Sequence, residues 1–398
     1  MMELLFLLLP VPAFYGWYMG YHAALRNSEN RNSGKIRNLT RGLNFFFNHD
    51  RKKAADELIS FYDSQSNHSF EENLALGNLY RERGELERAI NFHNNIMIME
   101  GLSSDERACA LLELARDFIQ SGLLDKAEEI LKELISYDAE KARACELLVK
   151  LYDQEREWNK ALDTIKCFRR IFRSSANIAV KEAEFFCELG NDAFSVKQEK
   201  EALEYFRKAI RVNGTCVRAY LNIAKINIEQ NQFQEALTAL NAIAEAEPRM
   251  ISLCVKPLSR CFPGDTGSQE ELLVLEKWLQ CSGSEAVALR IATILCNIRG
   301  VSDSEEFIIR YLKKNSSIRM FSLLMDFRLE SLDSQSQQKL QVFKSLIDAH
   351  QINSSRFVCR HCGFKSQMLF WKCPSCHKWE TMQPNASVDV SQETLPPA

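Results

Sequence analysis

Four cysteines near the C-terminus are the residues whose type and spacing point most directly to chemistry. Cys359-Arg360-His361-Cys362 and Cys373-Pro374-Ser375-Cys376 are both C-x-x-C pairs, with ten residues between them. In such a knuckle both thiolates turn onto one metal ion, and the backbone amides of the turn point at sulfur. Gly363 suits the left-handed position after the second ligand, and Pro374 stiffens the other loop. Two facing knuckles give a tetrahedral tetrathiolate for one iron or zinc ion. The module that carries them, residues 353–382, is too small to fold on an apolar core alone, so metal must supply much of its stability. Phe357, Phe364, Phe370, Trp371 and Trp379 are expected to pack around the site and against the last helices before it. His361 and His377 read as neighbours of the site, because four thiolates already close it.

The other nine cysteines are scattered singly, mostly in apolar helical context where a thiol behaves as a small hydrophobe. So many unpaired thiols, and an odd total of 13, fit a reducing compartment and not a disulfide framework. Fifty basic against 53 acidic residues leave a net charge of −3, which argues against a dedicated nucleic-acid binder. No glycine-rich phosphate loop, H-E-x-x-H or G-x-S-x-G motif occurs. His22, His49, His68, His93, His350 and the acidic pair Glu128-Glu129 lack metal or acid–base spacing, and read as solvated or satisfied packing positions. The expectation is a protein that is not an enzyme.

The elements that position the cysteines are helical. With 15 glycines and 9 prolines in 398 residues, turns are few. From residue 37 to 248 the sequence resembles itself: Ala54, Ala89, Ala127, Ala161, Ala202 and Ala236 recur at intervals of 35, 38, 34, 41 and 34. Nine residues before most of them stands a larger side chain (Phe45, Tyr80, Phe118, Tyr152, Asn227). Three residues earlier again comes a small one in several units (Gly42, Gly77, Ala115, Ala224). Four residues after the alanine an apolar residue follows, except for His93 in the second unit. This is the tetratricopeptide (TPR) pattern of two helices per unit, in which neither helix pair buries its apolar face alone and the units must stack. Gly84 and Gly122 read as breakers between paired helices, and Pro248 ends the last clear unit. Residues 249–352 read as degenerate TPR-like helices over Leu272–Leu279, Ala286–Cys296, Phe307–Leu312, Met320–Leu329 and Lys339–Ala349, with a loop at Phe262–Gly267 and a connector at Ser331–Ser336. Residues 383–398 read as a disordered tail.

The start of the chain reads as a membrane anchor. Leu4 to Tyr21 carry no charge, and eighteen helical residues at about 1.5 Å each reach about 27 Å, close to a hydrocarbon core. Residues 1–22 are therefore expected to span once, followed by a basic juxtamembrane linker over 23–36. Arg26, Arg31, Lys35, Arg37 and Arg41 place the remainder on the cytoplasmic side by the positive-inside rule. The predicted fold class is all-α: a TPR superhelical array with an N-terminal transmembrane helix and a small C-terminal rubredoxin-like metal module.

An anchor, a TPR array and a C-x-x-C…C-P-x-C module in this order resemble the lipopolysaccharide assembly protein B (LapB) family of Gram-negative bacteria. The likeness is close at Glu3–Pro10, Tyr15–Gly20, Leu76–Leu79 and Cys359–Phe364. His377 stands where a rubredoxin usually has glycine, so its turn is open to differ from that of the electron carriers. The resemblance implies a non-catalytic adaptor of the bacterial inner membrane. Its implied partners are the membrane protease FtsH, the LpxC deacetylase whose degradation it promotes, and other lipopolysaccharide assembly proteins. It implies no nucleic acid, and leaves a homo-oligomer open. The alternative from another class is a rubredoxin-type electron-transfer protein on a TPR scaffold.

Overall fold

The computed structural model describes residues 51–62, 69–172, 176–262, 267–329 and 355–385, with isolated positions elsewhere. They fall in two compact units, 1–171 and 172–398.

The first unit is a succession of helices: α1 (Arg51–Tyr62), α2 (Phe70–Arg83), α3 (Leu86–Met97), α4 (Ser104–Ser121), α5 (Leu124–Leu134), α6 (Lys141–Glu155) and α7 (Trp158–Cys167). A short turn of helix, α8 (Arg169–Phe172), follows. Helices α2 and α4 begin at capping boxes, in which Ser69 and Ser103 accept the N–H of Glu72 and Glu106 while those carboxylates accept the serine N–H. The two-residue links after α2, α4 and α6 turn each chain straight back on itself. In each, a left-handed residue (Gly84, Gly122, Arg156) follows the first helix, and the next N–H donates to the carbonyl of Tyr80, Phe118 or Tyr152 at 2.9–3.0 Å. This is the Schellman closure of a helix end.

The second unit continues with α9 (Ala176–Ser195), α10 (Glu199–Val212), α11 (Val217–Glu229) and α12 (Phe233–Ala246). Its two tight links repeat the same closure at Lys197 and Asn231, with Gln198 and Gln232 donating to Ala193 and Asn227. A 3-10 helix starts at Pro248 and runs to Cys254, then α13 (Val255–Arg260), α14 (Gln269–Ser282), α15 (Glu285–Arg299), α16 (Val301–Leu312) and α17 (Ile318–Leu329). One apolar core joins α11 and α12 to the 3-10 helix, α14 and α15 through Leu240, Ile243, Ile251, Leu258, Leu275 and Ile291. A second joins α15 to α17 through Ala288, Ile308 and Met320. The helices expected beyond Pro248 are present through Leu329, and the described positions of Lys339–Ala349 (Leu340, Gln341, Val342, Lys344, Ser345 and Ile347) are helical, whereas Ser331–Ser336 and most of Phe262–Gly267 lie outside the described residues.

The repeat register is visible in the packing. Ala89, Ala127, Ala161, Ala202 and Ala236 are fully buried on the second helix of each pair, as are the positions four residues later, including His93 and Phe206. The small residue on the first helix is matched to that side chain. A Cβ on Gly77 would meet the His93 ring at 2.3 Å, and one on Gly190 would meet the Phe206 ring at 2.6 Å. Gly190 fills the small position of the fifth unit, which the sequence pattern had left blank.

The chain ends in a small sheet of order β2-β1-β3, with β1 (Phe357–Cys359) pairing antiparallel with β2 (Lys365–Ser366) and with β3 (Met382–Pro384). Strand β3 extends the metal module past the expected end at 382: Gln383 and Pro384 pair with Val358 and Phe357, and the Asn385 N–H donates to the Arg356 carbonyl at 2.7 Å. A polar Gln-Pro-Asn run reads as tail, but here it completes the sheet edge beside β1. The remainder of that tail, the linker at 23–36 and the anchor at 1–22, apart from Trp17–Met19, lie outside the described residues. Among the described residues no helix is long and apolar enough to cross a membrane.

Candidate metal centre

The four cysteines converge. Cys359 is at the end of β1 and Cys373 precedes the second turn; both are buried, whereas Cys362 is exposed and Cys376 half-buried. Sγ of Cys359 stands 3.8 Å from that of Cys376, and Cys362 stands 3.7 Å from Cys373. A tetrahedron with metal–sulfur bonds of about 2.3 Å has edges of about 3.8 Å, so the thiols are already spaced for one ion.

The two knuckles are copies of one another in hydrogen bonding. Cys359 N–H donates to the Phe364 carbonyl at 2.8 Å and accepts Gly363 N–H on its own carbonyl at 2.9 Å. Cys373 does the same with Lys378 at 3.0 Å and His377 at 2.8 Å. His377 therefore occupies the left-handed place of Gly363, at φ 54° against 75°. The second turn keeps the geometry of the first despite the missing glycine. Turn amides point at sulfur in both: His361 and Cys362 at Cys359, Ser375 and Cys376 at Cys373. Burial opposes ionisation of Cys359, but the Thr381 hydroxyl and the two turn amides outweigh it and bring the thiol down to about 6. At Cys373 burial prevails and holds the thiol up at about 11. A bound metal ion displaces both protons. His361 Nε2 lies 2.6 Å from Lys378 Nζ at the surface, beside the site and not in it.

Around the thiols Phe357, Leu369 and Met382 form a core with Phe364, Phe370 and Trp371 at its margin, and Leu253 of the 3-10 helix packs against it. The indoles do not rest on the last helices, as their place in the chain suggests. Trp371 lies under the Arg218 guanidinium of α11 at 5.9 Å, and Trp379 meets Phe185 of α9 edge-on at 6.4 Å. Glu380 accepts from Asn213 Nδ2 at 3.2 Å. The seat lies on α9, the end of α10 and α11 because they offer an apolar ring, an amide and a guanidinium, complementary to the module's indoles and carboxylate. Nothing in helical periodicity marks such positions.

Of the histidine and acidic residues read as non-catalytic, His93 and Glu128 have partners within the fold. His93 is fully buried with Nδ1 2.5 Å from Asp117 Oδ2, and Asp117 is held by Arg81 at 2.8 Å. Its Nε2 finds no hydrogen-bond partner and faces the backbone of Gly77, so the imidazole–carboxylate pair is closed to any substrate. Glu128 is not merely solvated, since it accepts the Tyr152 hydroxyl at 2.7 Å. His22, His49, His68 and His350 lie outside the described residues.

A helical-repeat chain of tetratricopeptide type closed by a four-cysteine ribbon is the class that this fold and site define. The comparisons with known proteins agree. A family model described as tetratricopeptide repeat matches residues 193–251, and one described as rubredoxin metal binding domain matches 357–384. Over its whole length the chain is similar to Lipopolysaccharide assembly protein B of Escherichia coli (strain K12), 27% identical over 98% of this chain and 100% of that protein. The protein of the same name from Haemophilus influenzae (strain ATCC 51907 / DSM 11121 / KW20 / Rd) is 29% identical, over 96% of this chain and 98% of its own. A solved structure of MamA is 22% identical over 43% of this chain and 94% of its own, with a TM-score of 0.29.

Proposed function

We propose that this protein is a non-catalytic scaffold in lipopolysaccharide assembly, with Cys359, Cys362, Cys373 and Cys376 holding one iron or zinc ion as a folding clip. The observation that carries the reading is likeness to the two assembly proteins along nearly the entire chain, ribbon included. The fold supports it: stacked helix pairs offer binding surface. In this reading residues 1–22 tether the chain to the inner membrane with its bulk on the cytoplasmic side. There it presents the LpxC deacetylase to the membrane protease FtsH.

The test is deacetylase turnover in a Gram-negative strain lacking its own assembly protein B. The full chain should shorten the lifetime of the deacetylase, read by immunoblot after translation is stopped. The chain without residues 1–22 should fold and leave that lifetime long. A lifetime indifferent to the full chain would sink the adaptor reading, and one shortened equally by both forms would sink the tether.

A further inference from the structure

Where the ribbon sits on α9 and α11, a second group of donors converges that the four-thiolate site does not use. Glu184 of α9, Cys216 just before α11 and Glu380 of the ribbon each place one donor atom within 4.8 Å of the other two. Glu184 and Cys216 are fully buried. Cys187 lies one helical turn from Glu184, with its Sγ 3.7 Å from that of Cys216.

The charges in this group do not balance. Arg218 donates through Nη1 to Glu184 Oε2 at 2.9 Å and to Glu188 Oε1 at 2.8 Å. One guanidinium thus serves two carboxylates, and Glu380 adds a third with the Arg360 cation near it, so these three carboxylates stand against two cations. In the first unit the comparable group is even, with Arg81 and Arg116 set against Glu113 and Asp117. Glu184 Oε1 is the telling atom: it is buried and no donor reaches it. An anionic oxygen buried without a donor or cation is costly, and burial accordingly pushes the Glu184 carboxyl up to about 8, so that Glu184 and Glu380 share a proton until a cation replaces it. Beside that oxygen lie the Glu380 carboxyl and the Cys216 thiol, which donates to Glu380 and, like both carboxyls, becomes a metal ligand once its proton is lost.

We propose that Glu184, Cys216 and Glu380 bind a divalent transition-metal ion of the zinc class, which pins the ribbon to the helical array. The donor set is one sulfur and two carboxylate oxygens, a mixture that zinc accepts. Bonds of about 2.0–2.3 Å require donor separations of about 3.3–3.8 Å, so each side chain has to move by less than about 1 Å. Binding releases the Cys216 thiol proton and any proton the carboxyl pair holds, so affinity rises with pH. The Cys187 thiol and the Asn213 amide then hydrogen-bond the ligand sulfur and carboxylate from outside. A cavity of about 150 Å³ adjoins the group at Glu380, with Thr215, Val217, Arg249 and Arg360 also in its lining. Two of the ligands lie on the array and one on the ribbon. The ion therefore joins parts of the chain more than 160 residues apart, which the ribbon's own site cannot do.

The test is the metal content of the full chain, purified under reducing conditions and equilibrated with Zn2+ before removal of the excess. Elemental analysis against protein concentration should give about two ions per chain. Glu184→Gln and Cys216→Ser, both on the array and away from the four ribbon cysteines, should each hold about one. Substitution with Co2+ should give the wild type a stronger sulfur-to-cobalt absorption than either variant, because Cys216→Ser removes the fifth thiolate and Glu184→Gln leaves it without its ion. A wild-type chain that holds one ion and takes up no second at any Zn2+ concentration up to about 100 µM, a weak limit for a structural site, overturns the proposal. So does a second ion that both variants retain. The wild-type count decides the matter even if a variant fails to fold.

Discussion

The ammonium of Lys126 lies 5.7 Å from the ring centre of Phe118, across the turn that joins α4 to α5. The same pairing joins Lys53 to Phe45, Arg88 to Tyr80 and Lys160 to Tyr152, always between the residue before the repeat alanine and the aromatic eight positions upstream. In the fifth and sixth units the ring is replaced by Ala193 and Asn227, and the cation by Glu201 and Glu235. The cation is present where there is a ring for it to face. Lys126→Met, which keeps the apolar stem, should cost about 0.5–1 kcal/mol on the urea transition of helical circular dichroism. Glu201→Lys, with no ring opposite, should change it by less. If Lys126→Met costs the same in a Phe118→Leu background, the contact contributes nothing.

Gly77→Ala tests the other contact within a repeat. In an exposed helix the change would help by about 1 kcal/mol. Here the new Cβ would meet the His93 ring at 2.3 Å, and overpacking of this kind costs about 1–3 kcal/mol. Net destabilisation is expected, reversed when His93→Ala is added. Gly190→Ala should behave alike and be relieved by Phe206→Leu. A Gly77→Ala chain as stable as the parent would show that the two helices do not meet as closely as described.

These contacts also show what was legible beforehand. The alanine register and the four ribbon cysteines could be read from the sequence because each depends on spacing along one segment. His93 looked like an exception at an apolar position, yet it is the rule in another form, since a bulkier knob is accommodated by glycine opposite. Comparing positions 77 and 190 with 93 and 206 would have found the match and also the missing fifth-unit residue. The cation before each of the first four repeat alanines was a second readable signal. The seat of the ribbon was not readable: Glu184, Arg218 and Phe185 sit in helices whose periodicity says only that they are helical. Their partners lie far along the chain, so no local pattern couples them.

The left-handed turns give a prediction with opposite signs at equivalent places. Gly84 and Gly122 hold positive φ without cost, whereas Arg156, Lys197 and Asn231 hold φ of 60–62° with side chains. A non-glycine residue in this region costs about 1–2 kcal/mol, least for Asn. Lys197→Gly should therefore raise the unfolding free energy read from the urea transition and Gly122→Ala should lower it, each by about 1 kcal/mol. His377→Gly should likewise stabilise the ribbon and leave its metal in place. Equal and same-signed shifts for Lys197→Gly and Gly122→Ala would rule out backbone strain as the cause.

Removing the metal separates the ribbon from the helices. Its core consists of Phe357, Leu369, Met382 and two of the ligands, too little to order thirty residues against their chain entropy. The helical cores are complete without it, drawing on the ribbon only at the margin through Trp371. A strong chelator at neutral pH should leave the helical signal nearly intact, while Trp371 and Trp379 come off Arg218 and Phe185 into water. Their emission should shift to the red, and zinc or ferrous iron should restore it. Cys373→Ser, which removes a fully buried ligand, should reproduce the stripped state without chelator. Serine at the exposed Cys362 should weaken the site less, because water reaches that corner to take the place of sulfur. Unshifted emission after the metal has been removed would mean that the ribbon is held by its seat on the array and not by its ion.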